Sequence, residues 1–155
     1  PGPSAVAEAG ALVAAAHLAG GTLTAAVFGG MLFFAFVYAP LVFTKLPAAQ
    51  AGAFIRDVFP VYYKAMGGTA IAAGAFLLPR GEAILMIAVG AVFFAAMLML
   101  MPRINAARDA SLAGKGGATA PAAKTFSRLH RISVVINFVQ MLAVLAVLVR
   151  LLGRA

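Results

Sequence analysis

The sequence predicts an all-α integral membrane protein: an up-and-down bundle of four transmembrane helices, with a short interfacial helix between spans one and two. Three observations predict it. Uncharged apolar stretches at 18–43, 65–79, 83–102 and 132–149 fill most of the 155 residues, and a hydrocarbon core about 30 Å thick takes about 20 apolar residues of helix. At 64% hydrophobic and 10% charged, the chain has too little polar surface to clothe a soluble domain of its size. Its twelve Lys and Arg stand at the ends of the apolar runs, not in a patch interleaved with aromatics. The net charge of +8 therefore speaks for membrane topology and against a nucleic-acid partner.

The chain reads as a single membrane domain, 1–155, with spans at about 18–43, 61–79, 83–102 and 130–150. Residues 4–17 are Ala-rich and too weakly apolar for a fifth span, so they form a surface helix or an extension of span one. No basic segment precedes the first apolar run, and 18–43 is read as a retained span, not a signal peptide. Leu46-Pro47 stops that helix, and Pro60 is expected to restart or kink the next. Between them Phe54, Ile55, Val58 and Phe59 share one face, as a helix lying in the headgroup region would arrange them. Tyr62, Tyr63 and Lys64 read as interface anchors: two aromatic-belt residues and a lysine that snorkels. The short link Arg80-Gly81-Glu82 forces spans two and three into an antiparallel hairpin. Residues 103–125, rich in Gly, Ala, Ser and Lys and broken by Gly116-Gly117 and Pro121, are expected to form a mobile cytoplasmic loop.

Orientation follows from the basic residues. With four spans, Lys45, Arg56, Lys64, Arg103, Arg108, Lys115, Lys124, Arg128 and Arg131 share one side, against Arg80, Arg150 and Arg154 on the other. Nine against three places both termini on the non-cytoplasmic side of a bacterial cytoplasmic (inner) membrane.

Chemistry-bearing residues are few. With no Cys, thiolate chemistry and disulfides are excluded. Span four carries a polar stripe, His130, Ser133, Asn137 and Gln140, spaced three, four and three apart and so on one face. Polar groups in hydrocarbon need partners, so this face points into the bundle or into a wet cavity. Interhelical hydrogen bonding is the plainer use of it, and a solute or proton path entered at His130 the sharper one. A second cluster, Arg103, Asn105, Arg108, Asp109 and Arg128, gathers on the cytoplasmic face, where contact with anionic lipid is its ordinary role. His17 and His130 open opposite sides of the membrane, too far apart for one bis-imidazole haem iron. Met97, Met99 and Met101 do not share a face and read as packing. Glu8, Asp57, Glu82 and Asp109 all lie outside the expected spans, which disfavours a carboxylate-coupled carrier. No metal site and no cofactor is expected.

Several segments resemble a known family. Gly29-Gly30-Met31-Leu32-Phe33-Phe34 with Ala39-Pro40, then Phe59-Pro60-Val61-Tyr62-Tyr63, Pro102-Arg103-Ile104-Asn105 with Arg108-Asp109, and Phe126-Ser127-Arg128-Leu129-His130 with Ser133 and Asn137, look like the transmembrane protein 205-like family, also called domain of unknown function 4149. The resemblance covers about 20–148 in the right order. It implies a four-span helical membrane protein and brings no settled activity. The association of animal members with resistance to platinum drugs hints at export or trafficking; the thiols that might handle platinum are absent from this chain.

Composition and the lack of catalytic groups lead to a non-enzymatic structural or accessory subunit. Its expected partners are the lipid bilayer and other membrane subunits or a second copy. The alternative is a transporter or channel component using the span-four stripe, and a distant third is a haem-linked membrane oxidoreductase.

Overall fold

A computed structural model describes residues 2–114 and 121–153, and it is helical almost throughout, with no strand among the described residues. Four long helices make up the chain: α1 (Pro3–Lys45), α2 (Ala48–Phe76), α3 (Gly81–Ala113) and α4 (Pro121–Leu152). The 43 residues of α1 extend about 65 Å at about 1.5 Å per residue, roughly twice a hydrocarbon core. Residues 2–15 are accordingly exposed and stand clear of the bundle. The Ala-rich N-terminal stretch is thus an extension of the first helix.

Two expected breaks are absent. No separate interfacial helix occupies 48–59: α2 runs unbroken for 29 residues with Pro60 inside it. Proline removes one backbone bond and crowds one carbonyl, but packing on both sides of Pro60 holds the helix, through Ala51 and Ile55 before it and Tyr62 after it. The loop expected at 103–125 is likewise helical through Ala113 and again from Pro121; the rest of it, 115–120, lies outside the described residues. Pro102 does not end α3 because the helix widens ahead of it. Ala96–Leu100 forms a π-helical segment, with the Met101 N–H bonded to the Ala96 carbonyl. The same device recurs in α1, where Phe34–Tyr38 is π-helical, the Ala39 N–H bonds the Phe34 carbonyl, and Pro40 follows. In both helices the π segment ends two residues before the proline. A wider turn relieves the clash of the proline ring with the carbonyl four residues back.

α1, α3 and α4 are each long and apolar enough to cross a membrane. α2 matches them in length, but Arg56, Asp57, Tyr62, Tyr63 and Lys64 dilute its hydropathy. The architecture is a helical membrane bundle. Large apolar side chains such as Phe36, Leu98, Val139 and Val149 face outward, as lipid-solvated surfaces allow.

Without a hydrophobic drive between helices in lipid, close packing holds them together. α2 and α3 form the expected antiparallel hairpin around the turn at Leu77, whose N–H reaches the Ala73 and Gly74 carbonyls. Two glycines permit their close approach. A β-carbon on Gly90 would come within 2.7 Å of the Gly67 carbonyl oxygen, and one on Gly74 within 2.8 Å of the Ala83 carbonyl oxygen. The core then builds outward from Val27 and Met31 of α1, Met86 and Phe93 of α3, and Val144 and Val147 of α4. At the far end Gly20 meets Leu77 and Gly21 meets Leu151, so the α2–α3 turn and the end of α4 lie together.

Candidate functional site

At the opposite end, where Lys45, Arg56, Arg108 and Arg128 gather, the four helices enclose a cavity of about 510 Å³. Small-molecule pockets commonly occupy about 300–1,000 Å³. Each helix presents one face to it, at helical spacing. α1 gives Ala35, Ala39 and Phe43, beside Phe34; α2 gives Gly52, Ile55, Arg56, Phe59 and Tyr63. α3 contributes Met101, Ile104, Asn105 and Arg108, and α4 Phe126, His130, Ser133, Val134 and Asn137. The π segment of α1 lines this volume through Phe34 and Ala35, and that of α3 ends next to the lining Met101. α1 packs closely along α4 only before its π segment; beyond it, Ala39 and Phe43 face Phe126 and His130 across the open space.

The inner end of the cavity is aromatic and closed. Phe34 stacks on Tyr62 with ring centres 4.1 Å apart, and Tyr62 meets Phe93 edge-on at 5.9 Å. The Tyr62 hydroxyl donates to Asn137 Oδ1 across a long 3.5 Å. One turn deeper, Gln140 Nε2 donates to the Val89 carbonyl at 3.0 Å and is only 6% exposed. Past it Met141, Val144 and Val147 fill the bundle interior.

The outer end is basic. Arg56 pairs with Asp109 at 2.7 Å, the two side chains being 37% and 58% exposed. The Arg56 Nε–H is buried and has no acceptor. The Arg108 guanidinium lies over Gly52, in the space a β-carbon there would fill. Among the described residues it makes no hydrogen bond or ion pair. Phe126 stacks against His130 at 5.9 Å and an interplanar angle of 20°, and Ser133 Oγ donates to the His130 carbonyl at 2.8 Å.

The structure thus divides the polar stripe. Gln140 ties α4 to α3, whereas His130, Ser133 and Asn137 line the cavity, Asn137 with only a long contact to Tyr62 of α2. The basic cluster divides too. Asn105 and Arg108 line the cavity, and Asp109 holds Arg56. Arg103 and Arg128 are exposed outside it, Arg128 beside Lys124 and Arg131. Of the three expected interface anchors, Tyr62 is instead a core residue, 9% exposed. Because α2 continues through Pro60, its next turn brings Tyr62 inward to Phe34 and Asn137. Tyr63 is half-buried and lines the cavity, and Lys64 is exposed.

Sequence reasoning missed Phe34, Gly52 and Phe59 as lining residues, and it placed Arg56 only by its charge. Their facing partners come from other helices, which no local pattern reveals; the face shared by Gly52, Ile55, Arg56 and Phe59 was the available signal. His17 sits near the Gly20–Leu77 end and His130 at the cavity, so the two imidazoles do not meet. Met99 points outward while Met101 lines the cavity. No group of three His, Cys, Asp or Glu is placed to hold a metal ion among the described residues.

A family model described as Domain of unknown function (DUF4149) matches residues 22–112, well over half of the chain. The chain belongs to this family. In this DUF4149 protein the matched stretch covers the parts of α1, α2 and α3 that form three walls of the cavity, including Phe34, Gly52, Arg56, Asn105 and Arg108. The fourth wall, on α4, lies beyond the match. No curated protein and no solved structure matches the chain.

Proposed function

We propose that this protein is a membrane-embedded binding protein, or the binding unit of a carrier, that takes a small amphipathic molecule into the four-helix cavity. One observation supports this above all. A volume of about 510 Å³ is walled by every helix, and its lining sets Arg56, Asn105, Arg108, His130, Ser133 and Asn137 among aromatic and aliphatic side chains. A few convergent polar groups in an otherwise apolar pocket are what ligand sites present. The closed inner end, sealed by Tyr62, Gln140 and the core beyond, favours binding from one end over continuous conduction. The accessory-subunit role comes second, because outward apolar faces belong to any lipid-solvated bundle and do not distinguish it.

The same proposal takes α2 as a fourth crossing, with Lys64 snorkelling, in keeping with the likeness to the transmembrane protein 205-like group. It sets the basic end and the cavity on the cytoplasmic side of a bacterial inner membrane. The test is native mass spectrometry of protein purified in mild detergent. Wild type is expected to retain a small amphiphile that Ala39→Trp, which fills the cavity from α1, releases. Equal retention by both would refute the cavity as the binding place.

A further inference from the structure

We propose that the cavity selects single-chain amphiphiles with an anionic head, a carboxylate or a phosphate, and that Arg108 is the residue that receives the head. The proposal rests on the binding role above and names the class of molecule bound.

The charge inventory carries it. The lining contains Arg56, Arg108 and His130 and no carboxylate. Asp109 compensates Arg56 through one terminal nitrogen at 2.7 Å, which leaves the Arg56 Nε–H buried without an acceptor. Arg108 has no compensating group among the described residues, yet it is half-buried and seated on Gly52. A guanidinium withdrawn from water beside apolar surface is costly unless an anion meets it. Its planar fork suits the two oxygens of a carboxylate or phosphate. Asn105, three residues earlier on the same face of α3, and His130 of α4 add further polar groups to the same cavity.

The rest of the lining fits a tail. Ala39, Phe43, Ile104 and Val134 give the cavity apolar wall, and α1 and α4 are not closely packed at this level. A chain leaving the cavity between those two helices emerges directly into lipid. A cationic amphiphile meets three basic side chains, and a neutral one leaves Arg108 unmatched. A free anion such as phosphate satisfies Arg108 but leaves the apolar walls unfilled.

Equilibrium binding to the full chain in a non-ionic detergent tests this with five probes: dodecanoate, dodecyl phosphate, dodecanol, dodecylamine and inorganic phosphate. Dodecanoate and dodecyl phosphate are expected to bind at least about tenfold more tightly than the other three, a difference of about 1.4 kcal/mol. Arg108→Gln is expected to bring dodecanoate down to the dodecanol level, while Arg103→Gln, outside the cavity, leaves it unchanged. Arg108→Lys, which keeps the charge and loses the fork, falls between, and supports the assignment if Arg108→Gln does not fold.

Dodecanol binding as tightly as dodecanoate overturns the anionic selection while leaving the binding role intact. Inorganic phosphate binding as tightly as dodecyl phosphate overturns the amphiphile in favour of a free anion. If no probe binds and Ala39→Trp changes nothing, the binding role itself fails, and this proposal with it.

Discussion

Replacing Gly52 with Ala separates binding from folding. Position 52 is buried in α2, and the three atoms nearest to a β-carbon there all belong to the Arg108 guanidinium. That group ends a flexible side chain, so it swings aside and does not force α2 and α3 apart. To restore ordinary contact at about 3.5–4.0 Å it must retreat by on the order of 2 Å. Paired N–H···O bonds of about 2.7–2.9 Å do not survive such a shift. Hydrogen bonds to charged groups contribute about 1.5–3 kcal/mol, so dodecanoate affinity should fall roughly ten- to hundredfold. Stability should hold or rise, because Ala gains up to about 1 kcal/mol over Gly inside a helix and this offsets the lost guanidinium packing. Binding measured beside a thermal midpoint from circular dichroism checks both halves. Wild-type affinity in Gly52→Ala would refute the role given to Arg108's seat, and a clear drop in midpoint would show that the seat is not soft.

Other outcomes follow from the same geometry. Gly90→Ala meets the Gly67 carbonyl and Ile71 Cγ1 within 2.7 Å; overpacking of about 1–3 kcal/mol should outweigh the helix gain and lower the midpoint, in contrast to Gly52→Ala. Gln140→Leu loses the bond to Val89 and should cost about 0.5–2 kcal/mol with dodecanoate binding unchanged. Tyr62→Phe removes only a 3.5 Å contact and should stay within about 0.5 kcal/mol, whereas Tyr62→Ala empties the aromatic stack and should cost about 3–5 kcal/mol. Ser111→Cys, on the last turn of α3 in a chain without native Cys, should resist an impermeant maleimide on intact cells and react after permeabilisation; ready labelling of intact cells would reverse the proposed orientation.

The helices were legible because apolar length in lipid leaves little choice of backbone: four uncharged runs became the cores of four helices. Their ends were less so. Pro60 read as a restart or a kink and Pro102 as the end of span three, because proline acts on a single turn and sequence shows that turn alone. Continuation depended on packing around Tyr62 and on the π segment at Ala96–Leu100, both properties of the assembled bundle. The α4 stripe was visible as a face, and its division was not. Whether an amide bonds a neighbour, as Gln140 does with Val89, or lines a cavity, as Ser133 does, depends on which helix stands opposite. The face that Gly52 shares with Ile55, Arg56 and Phe59 was visible, but its role as a seat was not, since that comes from an arginine fifty-six positions away.

The central claim is that the basic end of the bundle holds an accessible cavity and that the next turns of α4 are sealed. Paired single-cysteine variants, Ser133→Cys and Gln140→Cys, measure this directly through reaction with a small membrane-permeant thiol reagent. Rapid labelling at 133, slowed by dodecanoate, with negligible labelling at 140 is the predicted result. Equal rates at the two positions, or a rate at 133 indifferent to dodecanoate, would contradict it.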